Sequence, residues 1–100
     1  MSRRLIIRNE AEADITEAAL WYDEQEKGLG LQLTTEVRTA IHRAFSDPLL
    51  YLRLRERPEV RRILTRRFPY RVFFIVREDA IVVFAVLHAG KHDRHWKQRV

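Results

Sequence analysis

The sequence predicts an α+β domain: an N-terminal strand, an antiparallel αα-hairpin packed on a mostly antiparallel four-stranded sheet, and a basic C-terminal tail. Three observations carry this. Apolar residues repeat at helical spacing through two long stretches separated by little more than Lys27-Gly28. From Val60 the pattern turns β-like, and it ends in the uninterrupted apolar run Ile81-Val82-Val83-Phe84-Ala85-Val86-Leu87, which suits a central strand buried on both faces. The third observation is the short opening run Arg3-Arg4-Leu5-Ile6-Ile7-Arg8, a first strand ahead of the helices. With 100 residues there is room for one modest core, so residues 1–100 read as a single domain.

Each element follows in order. Asn9 is placed to cap the first helix, with Glu12 completing a capping box. Ala11, Ile15, Ala18, Ala19 and Tyr22 then mark its buried stripe, with acids on the opposite face. Gly28 tolerates the left-handed conformation that ends helices. Leu33, Val37, Ala40, Ile41, Ala44 and Phe45 continue the period in a second helix, which Asp47-Pro48 stops. So short a connection makes the pair a hairpin. Residues 49–59 form an arginine-rich loop. Strands are expected at about 60–66 and 70–77, with a turn at Phe68-Pro69, and Arg77-Glu78-Asp79-Ala80 closes a tight hairpin into the last strand.

Charge is segregated. Residues 9–26 hold seven acids and no Lys or Arg, whereas residues 53–71 hold eight arginines against two glutamates. The last ten residues add Lys91, Arg94, Lys97 and Arg99 against Asp93 alone. Such clustering makes a local field suited to phosphate or acidic protein. There is no cysteine, hence no disulfide or thiolate metal site. The N-terminus has only a three-residue apolar stretch and no segment approaches a membrane span, so a cytoplasmic chain without membrane contact is expected.

Period-two alternation sets Tyr70, Val72, Phe74 and Val76 on one side of their strand, and Arg71, Phe73, Ile75 and Arg77 on the other. On the preceding strand Arg62, Leu64 and Arg66 share a side, and Arg61, Ile63 and Thr65 the other. If the helices cover the apolar side, Arg62, Arg66 and Arg71 line an open basic groove, with the loop arginines Arg53, Arg55 and Arg57 at its rim. His88 follows the buried strand and is expected to reach the groove's end, where an imidazole is suited to proton transfer. Arg61, Arg67, Lys91, His92 and Arg94 extend the basic surface. Trp96 is suited to stack on a base or, the reading we favour, to pin the tail to the sheet, and Trp21 and Tyr22 are core or partner-facing. The spacing of His88, His92 and His95 invites a metal reading, but with no helix predicted there and only Asp93 as a carboxylate we assign no metal and no cofactor.

The stretches "WYDEQEKGLG", "DPLLY", "VRRIL", "RFPYRVFFIVREDAIVVFAVLH" and a final "D..W..R", in that order over nearly the whole chain, resemble the RelE/ParE superfamily of toxins from bacterial type II toxin–antitoxin modules. The resemblance implies a growth-inhibiting toxin and a small antitoxin partner, with Trp21 and Tyr22 facing it. Some members cut mRNA on the ribosome, using basic sheet residues and attack by the 2′-hydroxyl without a metal; others poison DNA gyrase and need no nuclease chemistry. Toward the RNA-cutting pattern, Arg62 and Arg71 match, and His88 stands where it could take over proton transfer. Leu64 occupies a position where a second strand lysine is found, Trp96 only approximates a C-terminal tyrosine, and His92 replaces a more usual arginine. These departures favour the gyrase-directed reading over the ribosome-dependent endonuclease. A non-toxic binding domain on the same scaffold is the third alternative.

Overall fold

In the computed structural model, which describes residues 3–100, the chain begins in the sheet. β1 (Arg4–Ile7) leads directly into α1 (Asn9–Gln25), α2 (Leu29–Ser46) returns, and a 3₁₀ turn (Pro48–Leu50) precedes β2 (Val60–Leu64), β3 (Tyr70–Val76) and β4 (Ala80–His88). A short α3 (Arg94–Lys97) closes the described chain. The sheet order is β1-β4-β3-β2. β2, β3 and β4 form an antiparallel meander, while β1 pairs parallel with β4, Arg4 opposite Ala80 and Ile7 opposite Val83.

The expected capping box does not form. Arg8 is still extended, and its N–H donates to Val83 C=O at 2.9 Å, so the strand runs straight into the helix and Asn9 is already helical. Glu12 instead accepts from Arg38 on α2 at 2.8 Å. At the hairpin, Gly28 takes a left-handed φ of 95°. The Asp23 carboxylate then accepts from the backbone N–H of Gly28 (3.1 Å) and Gly30 (2.8 Å), satisfying donors at the start of α2. Gly30 faces α1 so closely that a Cβ there would overlap the carbonyl oxygen of Ala19 and lie 2.8 Å from the Asp23 carboxylate. Gly30→Ala is therefore expected to part the hairpin and cost about 2 kcal/mol, readable in urea denaturation.

Two apolar layers result. The helix-side core joins Ala11, Ile15 and Ala18 of α1 and Leu33, Val37, Ile41 and Ala44 of α2 to Ile63, Val72, Phe74, Ile81 and Val83 of the sheet. The smaller far-side layer holds Val60, Phe73, Ile75, Phe84, Ala85 and Leu87, with Trp96 of α3 laid over it. The alternation expected for β2 and β3 holds: Arg62 and Arg71 stand on the far side, Ile63 and Phe74 toward the helices.

β4 breaks the pattern. Phe73 lies opposite Ala85 but Phe74 lies opposite Val83, so Phe84 is an extra residue, a β-bulge. One inserted residue inverts every later side chain, and Val86 joins the helix-side core while Leu87 joins the far side. His88 is thereby turned to the helix side.

Candidate functional site

The far face carries the basic surface, but it is less open than the sequence suggests. After β4 the chain folds back over the sheet. Trp96 stacks on Phe73 with ring centroids 5.3 Å apart and an interplanar angle of 22°, and only 3% of its surface remains exposed. It pins the tail, as favoured above, and its buried ring presents no open face on which a base could stack.

Arg71 lies beneath this tail, 6% exposed. Its Nη1 donates to Asp93 Oδ1 at 2.8 Å and its Nη2 to the Lys91 carbonyl at 2.6 Å. The guanidinium also sits 5.2 Å from the Phe73 ring centre, a cation–π contact, while Nε has no hydrogen-bond partner. The hydrogen bond from Arg71 holds the Asp93 carboxyl below the usual carboxylate range. Arg71 thus ties tail to sheet, where an open groove was expected. Arg62 lines the same small hollow of about 150 Å³, together with Arg55, Phe73, Asp93 and Trp96.

His88 is on the opposite side of the sheet. It stands edge-on to Tyr70, 5.5 Å between ring centres at 85°, and its Nδ1 accepts from Gly90 N–H at 3.0 Å. The bulge at Phe84 is the cause, and the structure therefore does not bring Arg62, Arg71 and His88 together. The remaining basic residues scatter as well. Arg61 points to the helix side and donates to Tyr51 C=O at 2.9 Å. Arg67 bonds to Gln32 on α2 and Arg66 is exposed beside it, both lining a groove of about 540 Å³ between α2 and β2. His92, on the turn before α3, and Arg94, the first residue of α3, are exposed, and His92 Nδ1 accepts from Arg94 N–H at 3.0 Å. Among the described residues, no group of three or more His, Asp or Glu side chains is arranged to hold a metal ion.

A second groove, of about 330 Å³, opens between α1 and the end of β4. Trp21, Tyr22, Tyr70, His88 and Lys91 line it, with Glu17 and Asp14 on α1. Trp21 and Tyr22 meet edge to face at 4.9 Å, and Tyr22 packs on Phe68 at 5.0 Å. Tyr22 is half-buried in the core, whereas Trp21 is 55% exposed. Burial, aided by Tyr22 and Glu17, pushes the Tyr70 phenol up to about 12 from 10.0. Its proton is held more tightly in the folded chain, so the associated stability is complete below pH 10 and is lost as pH rises toward 12. Denaturation across that window should show a steeper decline for the wild type than for Tyr70→Phe.

Sequence reasoning missed Asp14. It accepts from both guanidinium nitrogens of Arg99, at 2.6 and 3.0 Å, and from Val86 N–H at 2.9 Å. The Asp14 hydrogen bond raises Arg99 further above its usual range. A signal was present: Asp14 follows Ala11 by three and precedes Ala18 by four, which places an acid on the helix's buried face.

A family model described as ParE toxin of type II toxin–antitoxin system, parDE, matches residues 5–92. This chain belongs to the ParE toxin family. Among solved structures it is similar to one described as the chromosomal ParDE TA system from P. aeruginosa, with a TM-score of 0.78 and 18% identity over 86% of this chain and 95% of that one. At that identity the likeness is one of fold, and it fits the N-terminal strand, helical hairpin and four-stranded sheet of the ParE-family chain described above. No curated protein matches the sequence. The family span takes in Arg62, Arg71 and His88 and stops before α3, so Trp96 and Arg99 lie beyond it.

Proposed function

We propose that this ParE-family toxin inhibits growth by protein contact with DNA gyrase, without nuclease chemistry, and that a cognate antitoxin neutralises it. The observation carrying this reading is the separation of the RNA-cutting candidates: Arg71 is locked to Asp93 beneath α3, and His88 lies across the sheet. Cleavage by 2′-hydroxyl attack needs a proton acceptor and a phosphate-binding cation around one bond. Leu64, exposed on the basic face, supplies neither. With purified gyrase, supercoiling is expected to fall as toxin is added, while ribosome-bound mRNA stays intact. Uninhibited supercoiling at a large toxin excess contradicts the reading, and new mRNA ends would move it to the ribosome.

For the antitoxin, the helical hairpin offers the exposed Trp21, which lines the Tyr22–Tyr70 groove. An amphipathic segment that folds on binding needs an apolar anchor of this kind to offset its ordering entropy. Trp21→Ala should weaken antitoxin binding by about tenfold or more in calorimetry. Unchanged affinity would move the antitoxin elsewhere. Both partners place the toxin's action in the cytoplasm. No helix among the described residues is long and apolar enough to cross a membrane.

A further inference from the structure

α3 covers only part of the far face: beside it Val60 is buried, but Leu64 at the end of β2 and Leu52 of the preceding loop stay exposed. There the loop adds a short extra strand: Arg53 bridges Arg61, Arg62 N–H donates to Leu52 C=O at 3.3 Å, and Leu54 N–H donates to Val60 C=O at 2.9 Å. Leu52 thus stands opposite Arg62. Leu54 packs against the far-side layer, and alternation puts Leu52 on that same side. Leu64, opposite Arg71 in register, shares it too, and at the edge of the sheet it also borders the α2–β2 groove. The outcome is a strip, Leu52–Arg62–Leu64, whose leucines are 63% and 56% exposed.

The backbone beneath the strip is fixed. Pro48 is buried, Tyr51 meets Phe74 edge-on at 6.2 Å, and Arg61 holds the Tyr51 carbonyl. Leucines displayed on an ordered backbone lower the entropic cost of association, and clustered exposed apolar side chains mark protein contacts. The charge of the surroundings selects the partner. Glu56 and Glu59 are already paired with Lys97 and Arg57, whereas Arg53, Arg55 and Arg62 have no carboxylate within ion-pair reach among the described residues. An apolar surface bordered by acids fits this strip. Single-stranded RNA fits it less well, because the strip offers no aromatic ring for stacking and Trp96 is buried. A second copy fits poorly, since a two-fold contact would set the arginines against themselves.

We propose that the Leu52–Arg62–Leu64 strip is the surface with which this toxin grips its target protein, and that the target presents an apolar patch rimmed by Asp or Glu. This rests on the toxin reading above. The test substitutes Leu52→Glu and Leu64→Glu together in the full chain, with Leu52→Ser and Leu64→Ser as the milder pair should the first misfold. Thermal unfolding monitors the fold. Growth arrest on induction, binding to purified gyrase and binding to a single-stranded RNA oligonucleotide are measured alongside. The folded variant is expected to lose about tenfold or more in growth arrest and gyrase binding, with RNA binding unmoved. Arrest retained at wild-type strength overturns the strip while leaving the toxin reading intact. RNA affinity that falls together with arrest overturns the protein partner in favour of RNA. A variant that loses arrest when the wild type never bound gyrase supports the strip and removes gyrase as its occupant. A harmless wild type overturns both readings.

Discussion

Asp14→Ala is expected to destabilise the fold by about 3 kcal/mol, since it leaves a buried donor and a partly buried cation without their acceptor. Asp14 links three parts of the chain that are remote in sequence. It sits on α1, takes the Val86 N–H of β4, and takes both terminal nitrogens of Arg99. Arg99 itself donates to Phe84 C=O at 3.2 Å, at the bulge, and Arg8 donates to the Arg99 carbonyl at 3.3 Å. Removing the carboxylate should therefore loosen α3 and the end of β4 together. In a chain of this size the loss corresponds to a melting temperature lower by about 12 °C or more. Differential scanning calorimetry reads it directly. Arg99→Ala should cost a similar amount, and the double variant less than the sum, because the two act as one unit. Fully additive losses would show that the pair is incidental.

Arg71→Ala is the second large effect, expected at about 2 kcal/mol. Asp93 is half-exposed, so the ion pair itself is screened and supplies little of this. Most of the loss comes from the stem packed beneath the tail, the bond to the Lys91 carbonyl and the contact with Phe73. Arg71→Met keeps the stem and should recover part of the stability. The two roles for Arg71 separate here. If it ties the tail down, Arg71→Met still arrests growth at temperatures where it is folded. If it polarises a phosphate, arrest disappears although the fold survives. The pair also has a pH signature. The Asp93 carboxyl is lowered on folding, so its contribution is present above the ordinary carboxylate range and is lost as pH falls through the lowered value. Wild type and Asp93→Asn should thus differ in stability near neutrality and converge in acid.

Most of the fold was legible because its elements carry strong periods. The helices announced themselves through Leu33, Val37, Ile41 and Ala44, and β2 and β3 through alternation that placed Arg62 and Arg71 on the correct side. β4 could not be read in the same way. A strand buried on both faces shows no alternation, so the extra residue at Phe84 left no trace, and with it went the orientation of His88. The covered state of Arg71 was also hidden. α3 spans four residues, too few to show a period, and what holds it down is one ring and a few long-range ion pairs. The acids of α1 read as a solvated face, yet Glu12 and Asp14 are paired with Arg38 and Arg99. Leu64 was legible on the open side through its alternation with Arg62 and Arg66, whereas Leu52 fell in a stretch read as loop, so the bridge that sets it opposite Arg62 left no trace.

A toxin that acts on gyrase through protein contacts and does not cut RNA disturbs DNA before it disturbs translation. The deciding measurement is to induce the gene in a bacterial host and follow an SOS reporter and labelled methionine incorporation over the first minutes. An early SOS signal is expected while translation continues. A prompt collapse of translation with a silent reporter would contradict this mode of action.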